Sequence, residues 1–274
     1  MLNGITLTSA MRANLLSLQD VAKLVGVTQQ RLSTGRRVNS ASDDATAYFS
    51  AQQGFTKADA LSSLKSAMGE GLQKIQAALT ATSSATDILK QMKSLTDQAL
   101  ASSDSTIKGN LQTQFNSLQS QLQSLTQNDA NYKGTNLLSG ASGNDLVINF
   151  NEDATSKITI SATDTSATSY EPAAASGWAS DNANITASRD ATSTAITNFN
   201  GLATSLGAFN SFIQTRVDFT NQLSNIFKTG AENLVAADMN EEGANMLTLQ
   251  TRQQLGTTAL SLSSQAAQSV LRLF

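Results

Sequence analysis

The 274-residue sequence contains no histidine and no cysteine. Histidine is the side chain that most often serves as a general base near neutral pH and as a zinc ligand, and cysteine supplies the thiolate nucleophile. Enzyme classes that depend on these groups are therefore excluded, including zinc peptidases, whose metal-binding helix requires two histidines. We expect no catalytic residues, no metal site and no cofactor.

Charged residues are also scarce: they make up 14% of the chain, against about 25% in an average globular protein. With 18 basic and 21 acidic side chains, the composition predicts neither a nucleic-acid partner nor membrane insertion. No apolar run reaches transmembrane length, and residues 1–18, "MLNGITLTSAMRANLLSL", lack the pattern of a secretory signal. If the protein leaves the cell, we expect export without a cleaved signal peptide.

The single proline, at position 172, leaves room for long uninterrupted helices. Near each end of the chain, apolar residues recur at steps of three, four or seven, which places them on one helical face. The N-terminal stripe consists of Leu7, Met11, Leu15, Leu18, Ala22, Val25 and Leu32, and the C-terminal stripe of Leu255, Ala259, Leu262, Ala266, Val270 and Leu273. Because a chain end frays unless its apolar face is covered, we predict that the two terminal helices pair.

The central part of the chain differs from both ends. Residues 145–150, "DLVINF", and 157–162, "KITISA", alternate apolar and polar residues, and "NEDATS" between them supplies turn residues. The predicted fold class is therefore mainly α: a long antiparallel helical hairpin or bundle built from both chain ends, with a small central β-hairpin region.

A second apolar stripe on the C-terminal helix is offset from the first. It consists of Leu260, Ala267, Leu271 and Phe274. Two stripes on one helix imply two neighbours. One interpretation is a monomeric bundle with a large core, and the other is that the second stripe packs against further copies of the chain.

The sequence "QRLSTGRRVNSASDDAT", residues 30–46, predicts a break between two helices. Gly35 is a natural left-handed cap, and Arg31, Arg36 and Arg37 lie near the negative end of the first helix dipole. We predict that the next helix begins near Ser40, with Asp43 completing a capping box and Asp44 beside it at the positive end of the dipole. A metal or acid/base role for the two aspartates is the weaker hypothesis, because no other residues converge on them.

Two stretches of the sequence resemble the bacterial flagellin family. Residues 30–48, "QRLSTGRRVNSASDDATAY", are similar to the N-terminal signature of the family. Residues 233–274 are similar to its C-terminal signature, including the Gln-Gln-x-Gly-Thr element from Gln253 to Thr257 and the terminal Val-Leu-x-Leu. Residues 132–138, "YKGTNLL", resemble the turn that follows the N-terminal helical region. The two signatures occur at opposite ends of the chain and in the family's order.

The resemblance implies a filament subunit with three regions. Residues 1–38 and 240–274 would form an inner terminal helical domain in the filament core, residues 39–140 and 185–239 an outer helical bundle, and residues 141–184 a short surface insert. The implied partners are other copies of the chain, the flagellar export apparatus with an export chaperone, and the filament cap and hook-junction proteins. The implied location is the extracellular flagellum.

The same resemblance assigns roles to the residues singled out above. The expected assembly interface comprises Leu7, Met11, Leu15, Leu18, Val25, Leu32, Leu255, Leu262, Val270, Leu273 and Phe274. The join between the inner and outer domains would comprise Arg31, Arg36, Arg37, Asp43 and Asp44, where helix capping and contacts to a neighbouring subunit are both possible roles.

Two other functions remain open from the sequence. A hook-filament junction protein would share the architecture, although the match at Gln253 to Thr257 favours flagellin. A secreted or cell-surface glycan-binding protein would use the central insert, where Tyr170 and Trp178 are the candidates for stacking on a sugar.

Overall fold

The structure, a computed structural model, describes residues 9–271, without the side chains at positions 10, 267, 270 and 271. Its α-helices are α1 (Ser9–Thr34), α2 (Ala45–Ala101), α3 (Ser105–Ser124), α4 (Asn182–Val235) and α5 (Met239–Leu271). A π-helical turn at Leu125–Asp129 follows α3, and the strands are β1 (Leu146–Asn149) and β2 (Lys157–Ile160). This architecture confirms the predicted fold class.

The described chain divides into two compact units. The terminal unit contains the described residues up to Lys57 and those from Ile226 onward, and the central unit is Ala58–Asn225. Helices α2 and α4 are long enough to contribute to both.

The core of the central unit forms between α2, α3 and α4. Its largest fully buried side chains are Met68, Ile75, Leu89, Met92, Phe115, Leu122, Leu138, Ile160, Trp178, Ile185, Phe199 and Ile213. Their removal from water is the main favourable contribution to folding, at about 25 cal/mol per Å² of apolar surface. Long helices in a chain with few charges are therefore stabilised chiefly by packing between their apolar faces.

The β-hairpin is antiparallel, with Ile148 opposite Ile158. Burial alternates along β1, where Leu146 and Ile148 are buried and Val147 is exposed. The inward side chains pack with Met68 and Ile75 of α2. A Cβ added at Gly71 would lie 2.9 Å from Ile148 Cγ1, so the hairpin approaches α2 where the helix lacks a side chain.

The turn before the hairpin is held by one buried amide. Asn136 Nδ2 donates to the carbonyl oxygens of Thr126 (2.8 Å) and Gln127 (3.1 Å), and its Oδ1 accepts from Leu138 N (2.9 Å). Three hydrogen bonds satisfy a side chain that is only 3% exposed. Asn136 thereby closes the π-helical end of α3 against the segment that enters the hairpin.

Candidate functional site: the paired terminal helices

Helices α1 and α5 pack against each other in the terminal unit, as the apolar stripes predict. Arg31, near the end of α1, contacts Glu242 at the start of α5, and Leu18, farther back in α1, lies against Gly256, farther along α5. These two contacts run in opposite directions along the chain. The pair is therefore antiparallel.

The face that each helix turns to the other follows a heptad pattern. The buried or half-buried positions that follow this pattern are Met11, Asn14, Leu18, Val21, Val25, Thr28 and Leu32 on α1, and Glu242, Met246, Leu249, Gly256, Leu260 and Ser263 on α5. Steps of three and four that sum to seven are the seam of a coiled coil. This seam contains several polar or small residues, so it buries less apolar surface than an all-leucine seam would.

Gly256 lies where α5 approaches α1 closely. A Cβ at this position would lie 2.6 Å from Leu18 Cδ2 and 3.0 Å from Leu18 Cγ. Cβ atoms in proteins do not come this close to other carbon atoms. Only glycine therefore fits at position 256 unless Leu18 moves. The glycine of the Gln-Gln-x-Gly-Thr element therefore receives the side chain of Leu18.

A salt bridge lies at the other end of the seam. Arg31 Nη1 donates to Glu242 Oε1 at 2.8 Å, and the side chains are 32% and 8% exposed. Glu242 Oε2 is buried and has no hydrogen-bond partner among the described residues. A buried carboxylate with a single cationic partner depends strongly on that partner, because an unpaired buried charge is costly.

The opposite face of each terminal helix carries exposed apolar side chains. On α1 these are Leu16 (61% exposed), Leu24 (51%) and Val27 (44%), and on α5 they are Leu247 (67%), Leu255 (65%) and Leu262 (62%). Each set falls within about one quarter of the helix circumference at 3.6 residues per turn, on the side away from the seam. We call these two sets the outer rows.

The outer rows correct one expectation about α5. The sequence predicts that the stripe through Leu255 and Leu262 pairs with α1, and for the stripe through Leu260 it leaves open a monomeric core or packing against further copies. Leu260 is instead half-buried on the side of the seam, whereas Leu255 and Leu262 are exposed. Periodicity alone does not tell which stripe faces the partner helix, whereas the contact of Leu18 with Gly256 shows which side of α5 meets α1.

The other residues expected at the assembly interface fall into three groups. Met11, Leu18, Val25 and Leu32 lie in the seam, and Leu15 is 39% exposed beside it. Leu7, Leu273 and Phe274 lie outside the described residues, as does the side chain of Val270.

The break between α1 and α2 lies beside the break between α4 and α5. Gly35, with φ of +67°, caps α1 as expected, and its N–H donates to Arg31 O at 2.8 Å. Beyond the cap, Arg37 N donates to Val235 O (2.7 Å) and Ala237 N donates to Gly35 O (3.0 Å). Backbone pairing therefore ties the end of α1 to the start of α5.

The predicted start of α2 near Ser40 is wrong, because the helix begins at Ala45. Asp43 does accept from Ser40 N at 2.9 Å, but it also accepts from Asn39 N at 2.9 Å and so closes a turn before the helix. Asp44 is the helix cap, since its Oδ1 accepts from Ala47 N at 3.0 Å. The two backbone N–H groups that face Asp43 hold the pKa of its carboxyl group below the ordinary value.

Arg36 and Arg37 are exposed, and neither has a carboxylate within ion-pair distance among the described residues. The Arg36 guanidinium lies 5.8 Å from the centre of the Phe55 ring. Of the three arginines at the break, only Arg31 is used in a salt bridge within the described chain.

Comparison with known proteins identifies the family. The model described as "Bacterial flagellin N-terminal helical region" matches residues 3–143, and that described as "Bacterial flagellin C-terminal helical region" matches residues 190–274. A flagellin of Brucella melitensis is 34% identical over 98% of this chain and 98% of its own length. The chain belongs to the bacterial flagellin family. Flagellin FljM of Caulobacter vibrioides is 30% identical over 100% of this chain and 99% of its own.

Flagellin of Bacillus cereus, in a crystal structure, aligns at a TM-score of 0.49 with 18% identity, over 55% of this chain and 86% of that one.

The family models together match all of the seam and both breaks, and they leave residues 144–189 unmatched. The unmatched stretch contains the β-hairpin and the loop that carries Trp178. Within the described residues, no helix is both long and apolar enough to cross a membrane.

The central insert does not offer the aromatic surface that a glycan-binding role requires. Trp178 is fully buried, its ring lies 5.1 Å from that of Phe115, and its Nε1–H donates to Ser188 Oγ at 3.2 Å. Tyr170 packs edge-on against Phe199 at 5.3 Å. Trp178 is part of the core of the central unit, and the half-buried Tyr170 packs against that core, so the pair is not presented for stacking on a sugar.

Proposed function

We propose that this flagellin is a structural subunit that self-assembles through its terminal helices into the bacterial flagellar filament, which serves swimming motility. The observation that carries the proposal is the pair of outer rows. Because the chain is a flagellin, we infer that other copies of the chain cover these rows in the filament. No part of this role requires catalysis.

The outer rows suit contacts between copies for an energetic reason. Full burial of a leucine or valine side chain contributes about 1.5 to 3 kcal/mol, and the two rows contain six such side chains that are 44% to 67% exposed. Contacts between two different faces of identical subunits generate an open helical filament when the rotation from one subunit to the next does not close a ring. The seam stays within the subunit, and the outer rows contact its neighbours.

We infer the following domain division for the assembled subunit. Residues 1–38 and 240–274 form the inner domain, residues 39–140 and 185–239 the outer bundle, and residues 141–184 the surface insert. The breaks that follow Gly35 and Val235 support the boundaries near 38 and 240, because both helices are interrupted there. The compact terminal unit is larger than this inner domain, since it also includes residues 39–57 and 226–239.

Arg36 and Arg37 are the residues we assign to a contact with a carboxylate of a neighbouring subunit. Asp43 accepts from two backbone N–H groups of the turn before α2, and Asp44 caps α2, so both carboxyl groups have roles within the subunit. The exposure of both arginines and the absence of a carboxylate near them in the described chain support this division. Exposed ion pairs contribute only about 0 to 1 kcal/mol each, so these arginines would orient the contact rather than drive it.

The partners we infer beyond other copies follow from the filament role. They are the flagellar export apparatus with an export chaperone, and the filament cap and hook-junction proteins. The extracellular filament is the corresponding location. A hook-filament junction protein is the second candidate, and the full-length similarity to curated flagellins favours the filament subunit over it.

The outer rows can be tested by changing them without changing the seam. Leu255→Ser and Leu262→Ser remove two exposed leucines from α5, and Gln250→Ser changes an exposed polar residue of the same helix as the control. Short filament seeds are added to each purified protein, and negative-stain electron microscopy records the product. We expect long uniform tubes from the wild type and the control, and none from the double variant.

Circular dichroism of the unseeded proteins separates loss of assembly from loss of folding. The double variant is expected to keep the wild-type helical signal, because neither leucine lies in the seam. Tubes of normal length from the double variant would remove the outer row of α5 from the interface. Failure of the wild type itself to form tubes on seeds would contradict the filament role.

A further inference from the structure

Residues 167–178 of the central unit, which we call the strap, contain no helix or strand and lie along α3. Amide side chains of α3 hold them. Trp178 N donates to Gln112 Oε1 at 3.0 Å, and Asn116 both accepts from Ala175 N (2.7 Å) and donates to Ala175 O (3.1 Å). Gln119 Nε2 then donates to Glu171 Oε1. The three amides are spaced by four and three residues, so they lie on one face of α3.

The strap is anchored at its end by Trp178, the only tryptophan of the chain. Its indole is fully buried against Phe115 of α3 and hydrogen-bonded to Ser188 of α4. The core between α3 and α4 therefore includes a side chain supplied by an irregular segment. Release of the strap would move this indole from the core into water.

Glu171 is the one ionisable carboxyl group of the strap, and it is 7% exposed. Gln119 contacts one of its oxygens at 2.6 Å, and the other, Oε2, is buried without a hydrogen-bond partner among the described residues. A buried carboxylate normally has a cation or several N–H donors nearby. Glu171 has a single neutral amide.

None of the charged groups on the neighbouring helices neutralises Glu171. The helical segments that share a core with the strap lie in α2, α3 and α4. The charged residues in and next to these segments are Asp87, Lys90, Lys93 and Asp97 on α2, Lys108 on α3, and Arg189 and Asp190 on α4. Lys90 pairs with Asp87, Lys108 donates to Asn182, and Arg189 pairs with Asp190. In the part of the chain that the structure describes, no salt bridge reaches Glu171.

Burial raises the pKa of Glu171 above its ordinary value, and the hydrogen bond from Gln119 opposes this only in part. The neutral acid costs far less to bury than the carboxylate, and its O–H can act as a donor. The environment of Glu171 therefore favours the protonated form while the strap is docked.

We propose that Glu171 is a proton-controlled latch: the strap stays docked on α3 while this carboxyl group is neutral, and ionisation of the group loosens the strap. Below the pKa of the released state, both states are protonated and docking carries no penalty. As the pH rises through the pKa of the docked state, the penalty becomes complete. The strap is thus held most tightly in acid and less tightly near neutral pH.

Amide hydrogen exchange in the full-length protein tests the latch directly. The amide hydrogens of Ala175 and Trp178 are bonded only to side chains of α3, so their exchange reports undocking of the strap. Glu171→Gln keeps the shape of the side chain but cannot ionise. Asp153→Asn, at an exposed carboxyl group between the two strands, is the matched control.

We expect wild type and Glu171→Gln to exchange these two amides equally at about pH 4, where both are neutral. At about pH 8 the wild type is expected to exchange faster, by about tenfold for each unit by which docking raises the pKa. Asp153→Asn should match the wild type at both pH values. An equal ratio of rates at both pH values would overturn the latch, because a merely structural effect of the substitution does not depend on pH.

A second measurement keeps the proposal testable if Glu171→Gln does not fold. The ¹³C shift of the Glu171 carboxyl carbon is followed against pH in the wild type, together with acrylamide quenching of Trp178 fluorescence. We expect the carboxyl group to titrate above the exposed glutamates and quenching to increase over the same pH range. A Glu171 that titrates with the exposed glutamates, or quenching that does not change, would contradict the proposal.

Discussion

Leu18 of α1 occupies the space that a side chain at position 256 of α5 would need. A Cβ at Gly256 would stand 2.6 Å from Leu18 Cδ2. The two residues are distant in the sequence, and their contact marks the face of α5 that meets α1. Several consequences of such contacts can be measured.

The first prediction concerns Gly256→Ala. Forcing a methyl group against Leu18 is expected to cost about 1 to 3 kcal/mol, which outweighs the gain of about 1 kcal/mol in helix propensity. Gly243→Ala on the same helix meets nothing within 4 Å and should be neutral or stabilising. Thermal disassembly of seeded filaments provides the measurement.

Leu18→Ala in the Gly256→Ala background is the compensating change, because it removes the atoms that collide. The double variant should recover part of the lost thermal stability. If Gly256→Ala filaments melt at the wild-type temperature, the close approach of α1 and α5 is not required in the polymer.

The second prediction concerns the salt bridge between Arg31 and Glu242. Arg31→Met leaves a buried carboxylate without its cation, and we expect a loss of about 2 to 4 kcal/mol. Glu242→Gln should cost less, because the arginine that remains is 32% exposed and can be solvated. The unfolding free energies of both variants and of Arg31→Met/Glu242→Met give a double-mutant cycle.

The order of the stability losses among these three variants tests whether the buried carboxylate depends on the arginine. The double variant is expected to be more stable than Arg31→Met alone, since it no longer buries a charge. Equal losses for the two single substitutions would contradict the difference in burial between the partners.

The third prediction compares two glycines of α2 that are two residues apart. Gly71→Ala places a methyl group against Ile148 of the hairpin, whereas Gly69→Ala meets nothing within 4 Å. We expect Gly71→Ala to destabilise the protein by about 1 to 3 kcal/mol and Gly69→Ala to stabilise it by up to about 1 kcal/mol. Urea unfolding of the full-length monomer gives both values.

Ile148→Ala tests the cause of the Gly71→Ala effect. In the Ile148→Ala background, Gly71→Ala should no longer be destabilising, because the side chain it displaces is absent. A loss of the same size in both backgrounds would point to the helix itself rather than the hairpin.

The fourth prediction concerns pH at the break between α1 and α2. Backbone N–H groups of Asn39 and Ser40 lower the pKa of Asp43 from its ordinary value of 3.8. A lowered pKa stabilises the folded turn at pH values above the unfolded pKa, and this stabilisation is lost as the pH falls through the folded pKa. Hydrogen exchange of the Asn39 and Ser40 amides is therefore expected to accelerate in acid relative to that in Asp43→Asn.

Asp104 provides the comparison for that measurement. Its pKa is lowered by the N–H groups of Thr106 and Ile107 at the start of α3. The hydrogen bonds to the turn carboxylate of Asp43 and to the cap carboxylate of Asp104 should weaken over a similar acidic range. A turn at Asp43 that keeps its relative protection throughout that range would show that the carboxylate does not hold it.

Sequence patterns alone predict the helical class, the two terminal helices, the β-hairpin and the family. Each of these follows from local periodicity or from residues that are contiguous in the chain. Gly35, for example, caps α1 in the left-handed conformation, as predicted.

Which apolar residues face inward depends on contacts between elements that are far apart in the sequence. The rotation of α5 depends on the fit between Leu18 and Gly256, the start of α2 depends on which of two adjacent aspartates caps it, and Trp178 is buried because α3 and α4 leave room for it. In these cases the contacting residues are distant in sequence, or two adjacent residues are alternative helix caps. Periodicity therefore cannot tell which arrangement forms. The burial of Glu171 could not be predicted for the same reason, because it arises from a strap that three amide side chains of α3 hold in place.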